Sequence, residues 1–113
     1  MLLLIRGHDF HYETENLCRV FFPYEPIKVR KERGEEDDAL VAEAAIDPCG
    51  AGEMYTASLT LGERTVSATD SAETVLSSAD RERKLVLVLF DVLTKFTGYR
   101  PAWGILTGVH PIK

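Results

Sequence analysis

Tyr55-Thr56-Ala57-Ser58-Leu59-Thr60-Leu61-Gly62-Glu63 is the stretch whose reading decides the fold. Tyr55, Ala57, Leu59 and Leu61 alternate with Thr56, Ser58 and Thr60, the two-residue period of a strand with one buried face. Gly62-Glu63 suits a tight turn, and Thr65, Val66, Ser67 and Ala68 continue as a partner strand. Upstream, Leu40 to Ile46 fits either a strand or a short alanine-rich helix. The turn residues beyond it, Asp47-Pro48-Cys49-Gly50-Ala51-Gly52, favour the strand. Residues 39–69 therefore read as an antiparallel meander.

Working outward to the amino end, Leu2 to Ile5 is a short continuous apolar run, the mark of a central strand. Gly7-His8-Asp9 makes a turn, with Asp9 placed to cap a helix. Phe10, Thr14, Leu17, Cys18 and Phe21 then fall on one helical face, and Pro23 forbids continuation. Ile27 to Arg33 alternates as a half-exposed strand.

Toward the carboxyl end, Ser77 and Asp80 match the spacing of a capping box, and Gly98 suits a helix C-cap. Between them Leu85, Val86, Leu87, Val88, Leu89, Phe90, Val92, Leu93 and Phe96 form an apolar set wider than one face. The valines would also suit a strand, but caps and length favour helix. Such a helix needs cover from a second copy, from a further domain, or from loops of its own chain. The order is β-α-β-β-β-β-α. The expected class is α+β, a mostly antiparallel sheet of four to five strands with two helices on one face.

Composition sets the class. The 113 residues fit one domain, with 45% hydrophobic and 27% charged residues, which argues against disorder. The net charge of -5 makes nucleic acid a poor partner. The basic stretch Lys28 to Arg33 is followed at once by Glu35, Glu36, Asp37 and Asp38, which cancel it. Met1 to Ile5 is too short for a signal core or a membrane span, so a cytoplasmic location and no membrane partner are expected. In a reducing compartment Cys18 and Cys49 should be free thiols.

A search for chemistry finds little. Cys18 lies on the apolar face of its helix and reads as structural. His8 and His11 are three residues apart beside Asp9, Tyr12 and Glu13, and only His110 remains as a third imidazole. No phosphate loop and no CxxC pair is present, and the carboxylates concentrate in the acidic run. No catalytic, cofactor-binding or metal-binding residue is therefore assigned. A binding role would fit an aromatic and basic set such as Tyr24, Lys28, Arg30 and Lys31.

The last residues differ in character. Trp103-Gly104-Ile105-Leu106-Thr107-Gly108-Val109-His110-Pro111-Ile112-Lys113 contains the only tryptophan, and it reads as a shaped connection that packs against something. It resembles the W-G-x-L-T-G-[IV]-R-P-x-K signature of radical SAM proteins similar to oxygen-independent coproporphyrinogen III oxidase, of the type with an extra N-terminal domain. These proteins are also called coproporphyrinogen dehydrogenases. Trp103, Gly104, Leu106, Thr107, Gly108, Pro111 and Lys113 match, and His110 departs from the family's arginine. A titratable imidazole does not replace a fixed bidentate cation, so the departure bears on the substrate. Leu3 to Gly7, Phe21-Phe22 and Thr97-Gly98 agree more loosely.

The resemblance implies a non-catalytic accessory domain over 1–98 and a connection over 99–113 leading to a catalytic barrel in the same polypeptide. That barrel would use S-adenosylmethionine and a [4Fe–4S] cluster to decarboxylate coproporphyrinogen III oxidatively to protoporphyrinogen IX, in haem synthesis. The family's cluster is held by Cys-x3-Cys-x2-Cys, whereas this chain has two cysteines, so no cofactor is expected in it. The expected partners are the barrel and, through the apolar helix, a second copy. The alternative is a stand-alone protein-interaction or ligand-binding module.

Overall fold

The computed structural model describes residues 1–31 and 39–98. The elements follow the expected order: β1 (Leu2–Arg6), α1 (His11–Phe21), β2 (Lys28–Arg30), β3 (Leu40–Cys49), β4 (Gly52–Leu61), β5 (Arg64–Ala72) and α2 (Ser78–Thr97). The strands form one sheet in the order β2-β1-β3-β4-β5. β1 runs parallel to both its neighbours, and β3, β4 and β5 are the antiparallel meander. The class is α+β, with a mostly antiparallel sheet.

β1 is apolar from Leu2 to Ile5 because both its faces are buried there. Leu3 and Ile5 join the core beneath the helices, whereas Leu2 and Leu4 are buried on the opposite face. Across the helix side of the sheet, Leu3 and Ile5 are level with Ala42 and Ala44, and these with Leu59 and Ala57. The alanines leave room for α2, whose Leu85, Leu89, Val92 and Leu93 are fully buried. Each such leucine contributes about 1.5–3 kcal/mol by leaving water. α1 packs beside α2, where Phe21 meets Phe90 edge-on with ring centroids 5.9 Å apart. The sheet and α1 together therefore take most of α2's wide apolar surface, and Leu87 is left exposed.

The caps of α2 are those its sequence announces. Ser77 accepts a hydrogen bond from the Asp80 amide at 3.3 Å, and Gly98 ends the helix in a left-handed conformation. At α1 the expectation fails. Its N-cap is Phe10, with no side-chain cap, because the Asp9 carboxylate is turned to Lys31 at 2.9 Å. β3 also runs further than its turn residues suggest, through Pro48 to Cys49. β1 pairs with β3 only as far as Ala45, so among the described residues the Pro48 nitrogen has no strand neighbour to supply with a proton. The loop is then just Gly50-Ala51, with Gly50 at φ 61.

Candidate functional site

The carboxyl end of β1 opens into a crevice of about 520 Å³. Its floor is the turn from Ile5 to Phe10. Lys31, after β2, closes one side, and Ser78 and Arg81, in the first turns of α2, close another. Carboxyl ends of parallel strands are where α/β sheets gather their loops. Here the turn is tight because Gly7 has φ 77 and lies directly against the Ile46 carbonyl, where a β-carbon would overlap the oxygen.

His8 fastens this turn. Its Nδ1 accepts the Phe10 amide proton at 3.0 Å, which leaves Nε2–H to donate to the Ala44 carbonyl at 2.9 Å. Desolvation holds the imidazole below its ordinary pKa of 6.5, with Arg81 and Lys31 adding repulsion. With both nitrogens engaged, the ring is a structural link between β1 and β3 and not a free base. It stacks on Phe10 at 5.5 Å, and the Arg81 guanidinium stands 6.0 Å from the other ring's centroid.

Among the described residues, every cation lining the crevice has a carboxylate partner. Arg81 meets Glu53 through two contacts, 2.9 and 3.2 Å, in a pair only 25% and 13% exposed. This is a bidentate fork across 28 positions, with no local signal in the sequence. Arg6 bonds Asp47 at 3.0 Å and lies 3.7 Å from Glu43, and Lys31 bonds Asp9. The Lys31 ammonium holds the Asp9 carboxyl below the usual carboxylate range. These last two pairs are exposed and worth little, so Arg6 and Lys31 could turn to an anionic ligand at small cost. The crevice can seat a polar group. Among the described residues it holds no nucleophile beside a free base.

The residues singled out by sequence are dispersed. The ring of His11 hydrogen-bonds the Asp9 carbonyl, and His8 is engaged as above, so the two imidazoles are not jointly directed at a metal. Among the described residues no group of three His, Cys, Asp or Glu side chains stands together as a metal site. A [4Fe–4S] cluster does not fit the cysteines either: Cys18 is buried in the core and Cys49 is exposed at a hairpin. Burial pushes the Cys18 thiol up to about 12. Lys28 and Arg30 are level with Leu2 and Leu4 on the face away from the helices, whereas Lys31 lines the crevice and Tyr24 is solvent-exposed. The acidic run Glu35 to Asp38 and the whole motif Trp103 to Lys113, His110 included, lie outside the described residues. No described helix is long and apolar enough to cross a membrane.

No family model, curated protein or solved structure matches the chain.

Proposed function

We propose that this chain is the non-catalytic N-terminal accessory domain of a radical SAM protein resembling oxygen-independent coproporphyrinogen III oxidase. The observation that carries the reading is the amino-acid sequence from Trp103 to Lys113, which follows Gly98 in the chain by a few residues. The described residues support it in one respect. Their one titratable histidine in a crevice is used to tie β1 to β3, and the nearby cations are held by carboxylates, as in a scaffold. Cluster, S-adenosylmethionine and the decarboxylation of coproporphyrinogen III would belong to a barrel that follows Lys113. The domain would dock on that barrel and shape access to it.

A second reading, a stand-alone module for an anionic ligand, is favoured by the crevice itself, where Arg6 and Lys31 are held only by exposed pairs. The coding sequence after Lys113 separates the two. A Cys-x3-Cys-x2-Cys triplet downstream carries the accessory-domain reading, and a stop codon sinks it in favour of the module. In the first case, a variant lacking residues 1–98 is expected to load its cluster yet lose turnover of coproporphyrinogen III.

A further inference from the structure

β5 pairs on one side only among the described residues, with β4, and so ends the sheet. Its register against β4 is unbroken from Arg64 to Ala72, which excludes a bulge, and the strand contains neither proline nor lysine. Bulges, prolines and lysines are among the devices that ordinarily blunt an edge, and the charges β5 does carry are Arg64 and Asp70. The hairpin fixes which main-chain groups are free. Leu61 and Arg64 close a two-residue loop and therefore exchange hydrogen bonds, and bonded and non-bonded pairs alternate from there. Arg64, Val66, Ala68 and Asp70 thus direct their amides toward β4, whereas Thr65, Ser67 and Thr69 direct theirs outward. Ser71 also faces outward, but its N–H donates to the Asp70 carboxylate at 2.8 Å, which closes that end of the ladder.

We propose that this edge docks a second copy of the chain, β5 against β5, antiparallel about a twofold axis at Ser67. Charge selects the register. An axis at Ser67 sets Arg64 opposite Asp70 of the second copy, twice, and no other axis within the strand does so. The same register sets half-buried Val66 against half-buried Ala68 on the helix side. On the other side it sets Thr65 against Thr69, a favourable β-branched pair. Ser67 bonds its own copy, each Thr65 bonds a Thr69, and about six main-chain hydrogen bonds result. Both charges already stand on the helix side of the edge. Arg64 lies over the Phe96 ring at 4.4 Å, and Asp70 is held by Lys84 at 2.9 Å. α2 covers β4 and β5, so its two copies would stand about two strand spacings, roughly 10 Å, apart. Leu87, one turn beyond Lys84 on the same side of α2, is the exposed apolar residue that this approach covers.

This association goes beyond the accessory-domain reading and stands whichever way that test falls. Sedimentation equilibrium of the full 113-residue chain tests it, with circular dichroism as the control for folding. A dimer is expected. Ser67→Pro removes a donor that β4 does not use, so it should preserve the fold and weaken association more than about tenfold. Arg64→Asp and Asp70→Arg each set like charges opposite one another and should each weaken association by roughly tenfold. Mixed one to one, the two variants should associate again, because each then meets its opposite charge. A chain that stays monomeric at high concentration overturns the proposal. So does a dimer that folded Ser67→Pro leaves intact, or a mixture without recovery. A chain that dimerises only after residues 99–113 are removed overturns it too, the edge then being occupied from within the same copy.

Discussion

Replacing Gly7 by alanine tests the close approach on which the crevice is built. Two costs combine there. A left-handed φ of 77 costs a non-glycine residue about 1–2 kcal/mol. The new β-carbon would also overlap the Ile46 carbonyl oxygen, a backbone atom that cannot swing aside. Relief requires the turn to lift off β3, which strains the His8–Ala44 bond, worth about 0.5–1.5 kcal/mol, and the exposed Arg6–Asp47 pair, worth about 0–1 kcal/mol. The sum is about 1.5–4.5 kcal/mol, a large share of the ~5–15 kcal/mol that holds a domain together. At about 4 °C per kcal/mol, Tm should fall by roughly 6–18 °C. Gly50→Ala is the control, since Gly50 has φ 61 but open space where the β-carbon would go. It should cost about 1–2 kcal/mol and roughly 4–8 °C. Thermal and urea unfolding of both variants, followed by circular dichroism, give the comparison. If Gly7→Ala melts within about 2 °C of Gly50→Ala, the approach of the turn to β3 is wrong, and the crevice with it.

Three further outcomes follow from contacts already described. Cys49 should react with Ellman's reagent in the native protein at pH 8, and Cys18 only after denaturation, because it is buried and its thiol is pushed up to about 12. The His8 imidazole is held low in the fold, so as pH falls the unfolded chain takes up that proton first. Its contribution is full above about 6.5 and declines as pH drops from there toward the lower folded value. His8→Gln should flatten the slope of urea midpoint against pH in that window, and an unchanged slope would sink the assignment. Arg81→Ala should cost about 1.5–3 kcal/mol in urea unfolding by stranding Glu53, and Glu53→Gln distinctly less, since Arg81 can still donate to the amide.

Periodicity made most of the fold legible. The alternation from Tyr55 to Leu61 gave β4, the Ser77–Asp80 spacing gave the start of α2, and the apolar run of β1 marked a strand buried on both faces. What escaped depends on partners distant in the chain. Asp9 has the chemistry of a cap, but Lys31, 22 positions later, claims its carboxylate. Pro48 reads as a turn residue, and only the early end of β1's pairing makes it tolerable within β3. The crevice was less visible still. His8 is legible as a turn residue, yet nothing local reveals that its ring spans to Ala44, or that Arg81 reaches back to Glu53. The hydrophobic excess of α2 leaves its cover open between a second copy, a further domain and loops of its own chain, and much of it is met by α1, an element whose position against α2 is not written in either helix.

The position of β1 has a consequence for how the molecule assembles. β1 precedes in the chain both strands that flank it, β2 and β3, and its partners in β3 lie about forty positions away. The meander from Leu40 to Ala72 is closed by two tight hairpins and needs only short-range encounters. Local pairing outruns distant pairing because less loop entropy is lost before contacts form. The meander should therefore nucleate, and β1 should insert late, although it is made before the meander. Substitutions in β4 should then slow folding, while those at Leu3 or Ile5 should chiefly speed unfolding.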